Sequence, residues 1–108
     1  MASKKKSAKA EKRADPPLRF DYTKHFLKDW DRLSKSGRYD MGRLKQVMLL
    51  LIANDGPLGA EWKDHALTGQ QWKGFRECHV GGDFLLVYQS DDTGIVFTRI
   101  GTHSELFQ

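Results

Sequence analysis

The chain has 108 residues, 39% of them hydrophobic and 30% charged, with a formal net charge of +4. That length excludes a second domain and allows one modest core. Its longest apolar run, Val47 to Ala53, is far short of the ~20 residues a membrane span needs. The single cysteine, Cys78, excludes an internal disulfide, and with no secretory signal in view the expectation is a cytoplasmic protein.

Residues 1–15 carry six basic and two acidic side chains, the whole net charge, whereas residues 16–108 balance twelve against twelve. A Lys/Ala/Ser-rich tail without aromatics buries too little to fold, so residues 1–15 are expected to be a disordered basic tail and 16–108 the folded domain. Such a tail either attracts nucleic acid non-specifically or serves as a solubilising extension. After Pro16-Pro17, Leu18, Phe20 and Tyr22 alternate with polar residues, as in a half-buried strand. Thr23 then caps an amphipathic helix whose apolar residues Phe26, Leu27, Trp30 and Leu33 recur every three or four positions, ending near Gly37. Asp40 caps a second helix with the stripe Leu44, Val47, Met48, Leu51 and Ile52, widened by Leu49 and Leu50, which stops at Asn54-Asp55-Gly56-Pro57. Two helices so closely joined are expected to form an antiparallel hairpin.

Residues 58–71 have weak periodicity and read as a loop. From Trp72 to Val80 the pattern is that of a strand, with Phe75, Glu77 and His79 on one face and Arg76, Cys78 and Val80 on the other. Gly81-Gly82 turns the chain into the dense apolar strand Phe84–Tyr88. A second turn, Asp91-Asp92-Thr93-Gly94, leads to the strand Ile95–Ile100. His103 to Phe107 has room for one helical turn. The expected fold is α+β: an N-terminal strand, a two-helix hairpin, then a three-stranded antiparallel meander with the helices on one sheet face. Trp62 and Trp72 are expected to be packing anchors, and Trp30 part of the core.

Three histidines of the second half, His65, His79 and His103, stand in polar or glycine-flanked settings. Histidine exchanges protons near neutrality, so three brought together beside Arg, Lys and carboxylates are equipped for acid–base chemistry on a charged substrate. His25 sits on the first helix and is expected to be a surface or boundary residue. Read singly, each of the three fits a bland role: a loop residue, a half-buried strand residue and a turn residue. A metal site is the chemical competitor, but Cys78 and His79 are adjacent on a strand and point to opposite faces, and no CxxC or HxxxH spacing occurs. No metal and no cofactor are therefore expected.

Four strings together are specific where each alone is weak. They are Trp62-Lys63-Asp64-His65-Ala66-Leu67-Thr68-Gly69, Trp72-Lys73-Gly74-Phe75-Arg76-Glu77-Cys78-His79, Asp83-Phe84-Leu85-Leu86-Val87-Tyr88 and Arg99-Ile100-Gly101-Thr102-His103-Ser104-Glu105-Leu106-Phe107. In this order and spacing, residues 18–107 closely resemble the YafQ-like branch of the RelE/ParE toxin superfamily. The resemblance implies a RelE-like fold and a cytoplasmic type II toxin. Such a toxin is an endoribonuclease that cuts mRNA, for RelE-like members typically on the ribosome. A cognate antitoxin neutralises it, and the pair reaches operator DNA through the antitoxin.

The family's catalytic positions match His65, His79, Asp83, His103 and Phe107. RNA cleavage by the ribose 2′-OH needs a base for that proton, an acid for the departing 5′-oxygen and cations for the phosphate. His103 is expected to be the acid and His65 or His79 the base. Asp83 either orients an imidazole or takes the proton itself, and Phe107 positions the nucleotide or the terminal segment. Lys63, Lys73, Arg76 and Arg99 are candidate RNA-binding phosphate clamps. The chain departs from the pattern at Phe84, where Trp is frequent, at Glu77, where a shorter acid occurs, and in its basic tail. Two other readings share the scaffold. One is a ParE-like gyrase-binding toxin, which needs no histidine set. The other is a catalytically silent partner in a repressor complex.

Overall fold

The computed structural model describes residues 16–108, so the expected disordered tail lies outside the described residues. The elements are β1 (Arg19–Tyr22), α1 (Lys24–Ser36), α2 (Met41–Ala53), β2 (His65–Ala66), β3 (Phe75–Gly81), β4 (Phe84–Ser90), β5 (Gly94–Gly101) and α3 (His103–Phe107). The strands form one five-stranded sheet in the order β1-β5-β4-β3-β2. β1 runs parallel to β5, and all other pairs are antiparallel. No helix among the described residues is long and apolar enough to cross a membrane.

Local chemistry sets the helix ends. The Thr23 hydroxyl accepts from the Phe26 N–H and the Asp40 carboxylate from the Arg43 N–H, so each helix starts on a side-chain cap. Gly37 closes α1 at φ +72°, a left-handed position that a Cβ would strain. Both helices cover one sheet face, α1 against β5 and α2 against β3. Phe26, Leu33, Leu44 and Val47 meet Cys78, Val80, Leu86, Tyr88, Phe97 and Ile100 there in the main core. The opposite face carries a smaller cluster, in which Leu85, Val87 and Leu106 are covered by Leu67, Trp72, Phe75 and Phe107.

Several sequence expectations need correction. β1 is exposed rather than half-buried, with Phe20 at 52% and Tyr22 at 43%, and Leu27 lies outside the buried stripe of α1 at 48%. Residues 58–71 are not a plain loop: they hold 3₁₀ turns at Ala60–Trp62 and Gln70–Trp72 around the two-residue strand β2, which pairs with β3. A pairing of two residues is too short to print a period of two on the sequence. The following strand starts at Phe75 rather than Trp72, because the 3₁₀ turn and Gly74 at φ +85° intervene. Leu49 and Leu50 do not widen the buried stripe of α2; they are 66% and 43% exposed. At 100° per residue they lie away from the Leu44–Val47 side, and α2 has a single sheet face to cover. Trp62 is buried under the Arg43 guanidinium, 4.1 Å from the ring centroid, while Trp72 packs on the smaller cluster.

The free half of the β5 edge is closed by Thr23 and Asp29. β1 pairs only with Gly94–Phe97. Beyond it Thr23 bonds the Phe97 and Thr98 carbonyls, and the buried Asp29 carboxylate accepts from the Ile100 N–H at 3.2 Å.

Candidate active site

Strand pairing delivers the first two groups. His65 of β2 stands opposite Glu77 of β3, and opposed residues of an antiparallel pair share a sheet face. His79, two residues beyond Glu77, falls on that face as well. The result is a carboxylate between two imidazoles. Glu77 Oε1 lies 3.3 Å from His65 Nε2 and 3.6 Å from His79 Nε2. The Glu77 side chain is 8% exposed and that of His65 51%, so the carboxylate is held inside while the imidazole faces solvent. On its other side His65 Nδ1 sits 2.7 Å from the Lys63 carbonyl oxygen. A carbonyl only accepts, so Nδ1 carries the proton and Nε2 is the nitrogen turned toward Glu77.

His103 arrives from the far end of the chain as the first residue of α3. Thr102 and Glu105 form a reciprocal capping box, the Thr102 hydroxyl taking the Glu105 N–H and the Glu105 carboxylate the Thr102 N–H. Asp83, in the β3–β4 turn, accepts from the His103 N–H at 3.1 Å. Asp83 thus anchors the backbone that carries His103. The His103 and Phe107 rings lie 5.1 Å apart, and Phe107 meets Trp72 edge-on, also at 5.1 Å. A cleft of ≈ 300 Å³ joins these groups, lined by His65, Glu77, His103 and Phe107 with Leu67, Thr68, Gln71 and Trp72. His79 stands next to it behind Glu77, and His25 is exposed on α1, away from the cleft.

The four expected phosphate clamps fare differently. Arg76 points to the helix face, where its Nη2 and Nε bond Asp64 Oδ2 at 2.9 and 3.3 Å, and Tyr88 donates to the other oxygen of Asp64. The hydrogen bond with Asp64 raises the Arg76 pKa above its usual value, against burial, and burial followed by Asp64 raises that of Tyr88. Arg99 lies in the row His65–Glu77–Val87–Arg99 across the sheet, yet its guanidinium is turned to the edge and paired with Asp29 at 2.7 and 3.2 Å. Neither arginine is brought to the cleft. Lys63 and Lys73 are exposed beside the segments that form it.

Two groups of the site are not singled out by the sequence reading. Glu77 registers there only as a longer acid than usual, although its two-residue offset from His79 places both on one face. Asp64 is there only a letter of the Trp62–Gly69 string. It bonds Arg76 and Tyr88 on the helix side and so holds the segment entering β2, which sets the register of His65 against Glu77. Cys78, on the helix side of β3, is buried, and burial first, then Asp64 and Glu77, push its thiol up to about 12. It is a packed apolar residue and not a nucleophile.

Comparison with known proteins identifies the family of the chain that carries this cleft. A family model described as bacterial toxin of type II toxin–antitoxin system, YafQ, matches residues 18–108. The mRNA interferase toxin YafQ of Escherichia coli K12 is 44% identical over 87 residues, covering 81% of this chain and 92% of that protein. The putative toxin YafQ of Haemophilus influenzae is 34% identical over 96 residues, covering 84% and 93%. Among solved structures, a chain of the E. coli DinJ–YafQ toxin–antitoxin complex superposes with a TM-score of 0.77 at 41% identity, covering 85% of this chain and 99% of that one.

Proposed function

Since the chain belongs to the YafQ family of bacterial type II toxins, we propose that it is an endoribonuclease that cuts mRNA, associated with the ribosome in the cytoplasm and neutralised by a cognate antitoxin. The observation that carries the chemistry is the cleft. His65 and His103, from segments far apart in the sequence, line one hollow together with the buried carboxylate of Glu77. Relatives named mRNA interferase toxins and a neighbour solved as a toxin–antitoxin complex support the same reading.

In this mechanism the ribose 2′-oxygen attacks the adjacent phosphorus. His65, oriented by the Lys63 carbonyl, takes the 2′-OH proton at Nε2, and the Glu77 carboxylate beside that nitrogen stabilises the imidazolium that forms. The P–O5′ bond breaks, and His103 gives its proton to the departing 5′-oxygen. The products are a 2′,3′-cyclic phosphate and a 5′-hydroxyl. His79 shares the Glu77 carboxylate and holds it in place. Asp83 fixes the His103 backbone, and Phe107 sets the position of its ring. With Arg76 and Arg99 engaged elsewhere, Lys63 and Lys73 are left to meet the phosphates, weaker clamps than arginine and fitting for a message already held by the ribosome. The exposed Leu49, Leu50, Phe20, Tyr22 and Leu27 offer apolar area for the antitoxin to cover.

The test is a labelled mRNA incubated with the purified protein, with and without ribosomes, beside His103→Ala. Fragments formed by the wild type and lost in the variant support the proposal. Growth arrest undiminished in His103→Ala, with gyrase inhibited, defeats it.

A further inference from the structure

One wall of the cleft exchanges no proton in that chemistry. Leu67, Trp72 and Phe107 make it apolar, and two polar side chains, Thr68 and Gln71, stand on it. The wall is held firmly. Trp72 is edge-on to both Phe75, at 5.5 Å, and Phe107, at 5.1 Å. The Leu67 N–H donates to the Phe75 carbonyl at 3.0 Å, and the Trp72 N–H to the Gly69 carbonyl at 3.1 Å. Gly69, at φ +102°, makes the turn between Thr68 and Gln71, and a Cβ there would come within 3.3 Å of Gln71 Oε1. Glycine thus leaves room for the carboxamide to fold back over the turn. Neither the Thr68 hydroxyl nor the Gln71 carboxamide is hydrogen-bonded within the folded domain, among the described residues.

An aromatic and aliphatic surface beside an unspent carboxamide and hydroxyl is what a nucleobase requires: a platform for its face and donor and acceptor groups for its edge. The cleft, at ≈ 300 Å³, is at the small end of ligand sites, where one nucleotide rather than several fits. Resting on the ribonuclease reading above, we propose that Leu67, Thr68, Gln71, Trp72 and Phe107 form a subsite for a single nucleobase flanking the cut. Trp72 and Phe107 receive its face, and Gln71 with Thr68 reads its edge. Gln71 and Thr68 then determine where the message is cut, while the histidines determine how fast.

Two sets of four mRNAs test this, identical except for the base immediately 5′ or immediately 3′ of the cut, each free and ribosome-bound. Relative kcat/KM is measured for the wild type, Gln71→Leu, Gln71→Glu and Thr68→Val. A base-edge hydrogen-bond pair supports roughly tenfold or greater discrimination. The wild type is expected to show that ratio in one set. Gln71→Leu should lower the rate on the preferred base about tenfold and leave the poorest unchanged, flattening the series. Gln71→Glu, which swaps donors for acceptors, should reorder it. Both side chains changed here are exposed or at a turn, so melting temperatures should hold. If both Gln71 variants and Thr68→Val keep the wild-type ratios, or the wild type discriminates in neither set, the subsite is refuted while the nuclease stands. If the wild type cuts none of the eight mRNAs in either state, the nuclease reading itself has failed.

Discussion

Replacing Glu77 by Gln removes a charge and keeps the shape of a side chain that is 8% exposed. At 3.3 Å from His65 Nε2, the attraction between a carboxylate and an imidazolium is about 5 kcal/mol at an effective dielectric of 20 and about 1.3 kcal/mol at that of water. The half-exposed imidazole puts the true value between these limits. At 1.36 kcal/mol per decade, the loss to be expected in kcat is roughly tenfold to a few thousandfold. The lower limit describes a carboxylate that only aims the ring. The upper approaches the loss of a general base, ~10²–10⁴-fold. The assay is single-turnover cleavage of a labelled mRNA by wild type and Glu77→Gln across the neutral pH range, with melting curves run in parallel. A Glu77→Gln variant that melts normally and cuts within about twofold of the wild type would refute the role given to Glu77 and reduce it to a packing residue.

Four further outcomes are expected. His103→Ala, at an exposed position, should cost ~10²–10⁴-fold in cleavage with its melting temperature unmoved; a large fall in stability would contradict that. Asp64→Asn strips the ionic partner from Arg76 and should cost about 1–3 kcal/mol, seen in urea unfolding. It should also slow cleavage by letting β2 loosen around His65, and an unstable but fully active variant would argue against the positioning role. Glu105 is held below its ordinary value, first by the Thr102 N–H and then by Arg32. Its contribution to stability is therefore present above the ordinary value of 4.5 and lost as pH falls through the lowered one. Glu105→Gln should accordingly destabilise the protein near pH ~7 and progressively less as pH falls below the ordinary value of 4.5, and an effect that does not shrink with falling pH would contradict the sign. Cys78, with its thiol pushed up to about 12 and buried, should resist alkylation until the chain unfolds; rapid labelling of native protein would show that β3 opens.

The strong periodic signals of the sequence carry the fold. Thr23 and Asp40 mark the helix starts, and the stripes on α1 and α2 and the run Phe84–Tyr88 are legible because each buries one continuous face. β2 is illegible because two residues have no period, and with it goes the pairing that sets His65 against Glu77. Arg76 and Arg99 illustrate a second limit. Residue type says that an arginine can clamp phosphate, but Asp64 and Asp29, twelve and seventy positions away, occupy these two, and nothing in local sequence announces such partners. Glu77 is readable in principle from its offset to His79, since residues two apart on a strand share a face. What the offset leaves open is which residue stands across from it, and that depends on β2.

In the proposed reaction the ribose 2′-oxygen attacks inside the His65–Glu77–His103 cleft. An mRNA carrying a single 2′-deoxy nucleotide on the 5′ side of the cut tests it most directly. Its cleavage at that position should vanish, while an otherwise identical all-ribose message is cut to leave a cyclic phosphate and a 5′-hydroxyl. Cleavage of the 2′-deoxy message at the same bond and at a similar rate would contradict the account.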